Sequence, residues 1–346
     1  MNDNKALLEG FSDLLESLSS HPFTSTTDGE NGSTAWQKIV DSGFLGIMAN
    51  ENAGGAGLAI PDMQAFWVES GANAPEIPLG LSMLISGLIE KKLTSETKNL
   101  PISIALRSVD SDENTLRCRS AAFGSSAEYF VVIDPLDPTW SPRLLPKNDA
   151  DQEDLSLPSS SHRNLTWSNP HSFGEKIDLS YPWLEAAALV TACTMTGSLN
   201  RILEITLEYS KQRSQFGKQI SKFQAIQQQL SVMAEEISAA NAITQYACME
   251  SLEVPHPLLS GVAKARTSQA AEKSLKIAHA VHGAIGITEE YSLQRFTRAL
   301  IDWKTDFGSE SFWNKRIGKY LLGGQTKNFS EFITTNLQTH SSQNNN

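Results

Sequence analysis

Arg213, Gln215, Phe216 and Gly217 open the segment RSQFGKQISKFQAIQ, residues 213–227. An arginine there offers a bidentate cation for a phosphate, a glycine beyond it admits close backbone approach, and a phenylalanine supplies an apolar wall for a flat ring. A second candidate is the glycine turn VHGAIGIT at 281–288. The residues alone leave two readings of the 213–217 corner open. Either it contacts a ligand, or Arg213 caps the C-terminus of a helix and Phe216 anchors the packing.

Other chemistries lack their residues. GGAGLA at 54–59 does not have the GxGxxG spacing of a dinucleotide loop, and neither a GxxxxGK[ST] phosphate loop nor a GxSxG elbow occurs. The seven histidines form no HExxH or His/Cys cluster, so no metal site is expected. Cys118, Cys193 and Cys248 stand far apart in the sequence without a CxxC pair and are expected to be small buried hydrophobes in a reducing compartment. A net charge of -11 argues against a nucleic-acid surface, so any anionic ligand must be met by local cations. The opening MNDNKALLEGFSDLL has no basic signal region and no run approaches eighteen apolar residues, which predicts a cytoplasmic chain without a membrane span. The sequons at Asn31, Asn164 and Asn328 are then chance matches.

The elements that position these residues follow from composition. With 346 residues, 40% hydrophobic and 19% charged, the chain is a folded protein of two or three packed units. Up to about residue 95, short helices are expected in NKALLEGFSDLLESL, AWQKIVDSGFLGIM and IPDMQAFWVESGANA, with NAGGAGL and APEIPLG as punctuation. From about 100 to 178, PISIAL and YFVVID read as strands, separated by the turn-rich stretches DPLDPTWSP and LPSSSHRNLTWSNP. Beyond 179 the pattern is helical. Met195, Leu199, Ile202, Thr206 and Tyr209 share one helix face, and Phe223, Ile226, Leu230, Met233, Ile237 and Ala240 share another. A third helix through LLSGVAKARTSQAAEKSLKIAHAVHG should stop at Gly283 in a left-handed cap, and a fourth follows TEEYSLQRFTRALIDW.

RSQFGKQISKFQAIQQQLSVMAEEISAA and HAVHGAIGITEEYSLQRFTR resemble the two C-terminal signatures of the acyl-CoA dehydrogenase family. AWQKIVDSGFLGIMANENAGGAGLAIPD resembles that family's N-terminal helical domain and AAFGSSAEYFVVID its middle β domain. The resemblance spans most of the chain in the expected order. It implies a mainly α fold with a small central β domain: an N-terminal helical domain over 1–95, a reduced middle β domain over 96–178 and a C-terminal four-helix bundle over 179–335; the polar composition of the end predicts a disordered tail over 336–346. It also implies tetramers with FAD at subunit interfaces and acyl-CoA thioester substrates.

Site residues carry over one at a time. The family's arginine, the residue two after it and the following phenylalanine reach the adenosine pyrophosphate of a neighbouring subunit's FAD, which maps onto Arg213, Gln215 and Phe216. The family's glycine turn, roughly Q-L-H-G-G-x-G, keeps Gly283 and Gly286 but has Ala280 for the glutamine and Ala284 for the second glycine. His282 matches the pattern and reads as a structural histidine. The catalytic base of the family is a glutamate that removes the α-proton while the β-hydride passes to flavin. One family location for it precedes a glycine and a Ser/Thr; here Gly308 and Ser309 hold that register and Phe307 stands where the glutamate belongs. The other location falls at Ala187. Glu185, two residues away, is rotated roughly 200° round a helix and is the fallback base, while Asp306 and Glu310 are expected on a solvated face or loop.

The stretches L-T-E-P-x-x-G-S-D and W-I-T-N, which cover the flavin ring in the family, are absent between 96 and 178. The chain thus resembles the short subunits of heteromeric acyl-CoA dehydrogenases, which pair with a longer catalytic chain in an α2β2 tetramer and act on CoA thioesters of steroid side chains. The resemblance implies no catalytic residue in this chain, FAD contacts from Arg213, Gln215, Phe216, Gly283, Gly286 and Ser309, and an electron-transfer partner. A self-sufficient homo-oligomeric dehydrogenase and a flavin-free assembly protein are the alternatives.

Overall fold

A computed structural model describes residues 2–19, 30–94, 97–112, 114–137, 139–155, 161–169, 174–177 and 180–323. The tail at 336–346 and the sequon at Asn328 lie outside the described residues. Among the described residues four α-helices come first: α1 (Asn2–Ser19), α2 (Glu30–Asp41), α3 (Ile60–Asn73) and α4 (Leu79–Leu88). The sequence reading misses α4. Its residues LGLSMLISGL are apolar on every side, so no helical stripe marks them, and eight of its ten residues are buried where the helix threads the core.

Among the described residues the middle region holds seven strands in two sheets. Strands β1 (Ile102–Leu106), β3 (Tyr129–Ile133), β4 (Arg143–Pro146) and β7 (Glu175–Lys176) form one sheet in the order β1-β3-β4-β7. Only β1 and β3 run parallel in it, with Ile104 opposite Val131. Parallel neighbours need a crossover; here it is β2 (Thr115–Ala121), which leaves to join β6 (Arg163–Ser168) and β5 (Ala150–Asp154) in the second sheet, ordered β2-β6-β5. Between the sheets Phe130 and Trp167, both without solvent exposure, meet edge to face at 6.2 Å, and the Trp167 indole N–H donates to the Pro146 carbonyl. The expected turn-rich stretch around 158–170 therefore contains a core strand.

The C-terminal half is a bundle of α5 (Trp183–Gln212), α6 (Gln224–Met249), α7 (Pro257–His282), α8 (Leu293–Trp303) and α9 (Glu310–Gly323). The apolar faces expected on α5 and α6 are the ones buried, through Met195, Leu199, Ile202, Leu230, Met233 and Ile237. Pro257 occupies the first turn of α7, and the His256 ring Nδ1 accepts from the Leu258 and Leu259 amides at 3.2 Å, capping it. The helix stops at Gly283 as expected, with φ 65 but ψ -144, a glycine-only conformation other than the left-handed helical cap. Cys193 and Cys248, distant in sequence, touch through their sulfurs at 3.7 Å inside the bundle, and Cys118 is also buried.

The N-terminal helices seat on the bundle through backbone contact. A Cβ at Gly71 would lie 1.8 Å from the Thr194 carbonyl oxygen, and one at Gly197 would lie 1.8 Å from the Val68 oxygen. Ser198 donates its hydroxyl to the Gly71 carbonyl across the same crossing at 2.6 Å. Glu76 joins all three regions: its carboxylate takes a two-pronged bond from Arg295 on α8, and its carbonyl accepts from Ser126 of the β region. Where Ser70, Leu81, Phe123, Thr194 and Trp303 converge, the free space is only about 10 Å³, room for a single water.

Candidate functional site

The corner between α5 and α6 is a two-residue hairpin. β8 (Ser214–Gln215) pairs with β9 (Lys218–Gln219), Gln215 opposite Lys218, and the loop is Phe216-Gly217 with φ 51 and 77. Two positive φ values define the hairpin turn whose twist matches its strands, and the first position ordinarily carries Asn, Asp or Gly. Phe216 holds it at a steric cost and is 92% exposed, which overturns the reading of Phe216 as a packing anchor. Its one aromatic neighbour, Phe223, lies edge-on at 6.2 Å. Arg213 follows the last turn of α5 in extended conformation, and among the described residues neither its guanidinium nor the Gln215 amide has a side-chain partner.

The glycine turn comes to the same end of the bundle. Tyr209, one helical turn before Arg213, stacks on the His282 ring at 4.4 Å and donates its hydroxyl to the His282 carbonyl at 3.3 Å. His282 is buried and its Nδ1 donates to the Ala278 carbonyl, a structural role, with burial pulling its pKa below the usual histidine range. Gly283 and Ala284 face solvent, whereas Gly286 turns inward, where a Cβ would lie 3.0 Å from His282 Cβ. Ser309 is elsewhere. It opens α9 beside Gly308, whose carbonyl is held by Lys264, and α7 separates Lys264 from His282 by about 27 Å at 1.5 Å per residue.

The two positions at which the resemblance would put a base are apolar. Ala187 is fully buried inside α5, and Phe307 is 3% exposed with φ 52, its carbonyl accepting from the Trp313 indole at 3.1 Å. The Phe307 side chain lines a 310 Å³ cavity with Ile104–Leu106 of β1, Arg119–Ala122 of β2, Thr305 and Asp306. Glu185, the fallback base, is buried against α9 in a bond to Arg316 at 2.5 Å and faces a separate 430 Å³ cavity walled by Trp140, Tyr181 and Trp183. It does not reach the Phe307 cavity. Glu310 accepts from the Gln269 amide at 2.9 Å and is half-buried.

Asp306 corrects the expectation of a solvated loop. It is buried, and its Oδ1 lies 2.7 Å from His162 Nε2, while Asp302 Oδ2 lies 3.3 Å from His162 Nδ1. Burial alone would depress the His162 pKa; the two carboxylates overcome it and push the group up to about 10, so the ring is a cation at neutral pH. Burial raises the Asp306 carboxyl against the pull of His162 and Lys264, and its Oδ2 has no hydrogen-bond partner among the described residues. From the other side Lys264, without solvent exposure, donates to the Lys304 and Gly308 carbonyls at 3.2 Å, its pKa lowered by burial to about 8. Sequence reasoning missed both clamps. His162 sits in a serine-rich stretch with no pattern around it, and the one signal for Lys264 was its place between Ser260 and Ser268 on an alanine-rich face.

Residues 182–301 match the family model "Acyl-CoA dehydrogenase, C-terminal domain". Over 112 residues the chain is 31% identical to acyl-CoA dehydrogenase IpdE2 of Mycobacterium tuberculosis, covering 32% of this chain and 34% of that protein. The aligned stretch is thus about a third of that relative's length. The ChsE4-ChsE5 complex from Mycobacterium tuberculosis contains a chain of the same fold, TM-score 0.74 at 18% identity, covering 92% of this chain and 98% of that one. A variant of the Tcur3481-Tcur3483 steroid ACAD gives TM-score 0.75 at 19% identity over 93% and 99%. Residues 182–301, which carry the α5–α6 hairpin and the glycine turn after α7, thus match an acyl-CoA dehydrogenase C-terminal domain, and the chain shares the fold of the butyryl-CoA dehydrogenase of Megasphaera elsdenii over 91% of its length.

Proposed function

We propose that this chain is the FAD-contacting, non-catalytic subunit of a heteromeric acyl-CoA dehydrogenase, and that its α5–α6 hairpin meets FAD held by a longer catalytic chain. The observation that carries the reading is Phe216: a large ring held 92% exposed on a strained turn, beside an Arg213 and a Gln215 with no side-chain partner among the described residues. Backbone strain of this kind persists where it serves a site. Such a corner fits a dinucleotide, with Arg213 on the diphosphate, Gln215 donating its amide, and Phe216 walling the adenine, while the exposed Gly283 permits close approach. Gly286 acts through the shape of the turn, and Ser309 belongs to the other end of the bundle.

When bound, the flavin accepts the β-hydride of an acyl-CoA thioester. The base for the accompanying proton comes from the longer chain in this reading, since Phe307 and Ala187 cannot take one. The substrate class follows by analogy with the steroid ACAD of the same fold. Two assemblies of the same fold whose names pair two chains support a hetero-oligomer.

The test is to purify this chain alone and together with a longer chain of the same family encoded beside it, reading flavin absorbance and mass. The expected result is a colourless chain alone and a yellow complex with one FAD per pair of unlike chains. Arg213→Ala should lower flavin retention in the complex; unchanged retention sinks the contact. A second reading rests on Asp306, which lines the Phe307 cavity with one buried oxygen unpaired. There the chain would be self-sufficient with Asp306 as a displaced base, and it would be yellow alone with an activity that Asp306→Asn abolishes.

A further inference from the structure

The hairpin carries more positive charge than the contacts above use. Between residues 209 and 234 the chain has Lys211, Arg213, Lys218 and Lys222 and not one Asp or Glu, in a protein of net charge -11. Residues 211–219 are exposed without interruption, and Lys222 is exposed as well. None of these four cations has a carboxylate partner among the described residues; Lys218 lies 4.4 Å over the Phe223 ring instead.

Helix electrostatics explains only half of them. Lys211 is in the last turn of α5 and Arg213 just follows it, where a cation complements the negative end of the helix. Lys218 and Lys222 stand just before α6, a helix of 26 residues with no acidic residue in its first turn. Cations are unfavourable at that positive end. Solubility does not require them either, since the chain already carries a large net charge. Their placement raises the energy of the isolated chain and is offset when an anion arrives from outside.

We infer that Lys211, Lys218 and Lys222 form a steering surface for the diphosphate of FAD held by the longer chain, so that docking is electrostatically guided and salt-dependent. This rests on the heteromeric reading above and adds a role for three residues outside the contact set. Arg213, Gln215 and Phe216 hold the docked dinucleotide; the lysines act earlier, on the rate of encounter.

The experiment follows association of this chain with the FAD-loaded longer chain from low to high salt. The same series is run with the triple variant Lys211→Gln, Lys218→Gln, Lys222→Gln and with longer chain stripped of FAD. The wild-type rate should be at least about tenfold faster at low salt than at high salt. The triple variant should lose most of that dependence, with about tenfold slower association at low salt, yet reach the same flavin content at saturation. Removing FAD from the longer chain should flatten the wild-type dependence equally. A variant that associates at the wild-type rate at every salt overturns the inference while leaving the subunit reading intact. So does a salt dependence that survives FAD removal, because the anion is then not the diphosphate. Chains that never associate overturn the subunit reading and this inference together.

Discussion

Phe216 and Phe307 share a positive φ, 51 and 52, in opposite surroundings, 92% and 3% exposed. For a residue with a Cβ the left-handed region costs roughly 1–2 kcal/mol. At Phe216 the one offset among the described residues is the edge contact with Phe223, so Phe216→Gly should leave the isolated chain as stable or up to about 1 kcal/mol more stable. At Phe307 the buried ring outweighs the strain, and Phe307→Gly should destabilise by roughly 3 kcal/mol. Urea unfolding of the two variants checks both signs. A loss of stability in the Phe216 variant would mean that its ring packs within the chain after all. The Phe216 variant should also release flavin from the heteromer, a gain in stability set against a loss of function.

At the scale of elements, α3 and α5 touch backbone to backbone at Gly71 and Gly197. In an ordinary helix interior, glycine to alanine is worth about 1 kcal/mol of stabilisation. Here Gly71→Ala or Gly197→Ala must push the helices apart, so each should destabilise by about 2–3 kcal/mol or more. A raised melting temperature for either would mean that the helices do not meet there. What the sequence could show depended on periodicity. Helix α6 and the second half of α5 were legible because each has one buried face, and α7 was legible from its alanine-rich run, although its first half and that of α5 are buried on nearly every side. Helix α4 lacks an exposed face to contrast with, and β5, ADQED, is an exposed edge strand with no apolar alternation. That an apolar residue, Phe307, stands where the resemblance would put a base was readable from the register of Gly308 and Ser309. The burial of Asp306 was not, because its partner His162 lies 144 positions away. The Phe307 cavity escaped notice for the same reason: its walls come from β1, β2 and the α8–α9 loop.

Over the whole molecule, His162 fastens the β region to the bundle through Asp302 and Asp306, with Lys264 and Lys304 as the other charges at the joint. His162→Gln leaves Asp306 buried without its cation and should cost roughly 3 kcal/mol at neutral pH. The sign with pH follows from linkage. A histidine raised from 6.5 to about 10 by folding contributes fully below pH 6.5 and loses that contribution as pH climbs to about 10. Lys264, lowered to about 8, acts in the opposite sense at the top of this range, relieving a penalty as it deprotonates. The useful quantity is therefore the stability difference between wild type and His162→Gln, which should shrink between pH 6.5 and 10. A constant difference across that window would show that His162 is not the charged member of the joint.

The same joint imposes an order of events on a chain made from its N-terminus. His162 is synthesised 144 residues before Asp306, an interval on the order of ten seconds at ordinary elongation rates. Through that interval the β region lacks the two carboxylates that hold and charge His162 in the finished fold. The β region can therefore complete its joint with the bundle only once the α8–α9 loop has emerged, late in the making of the chain.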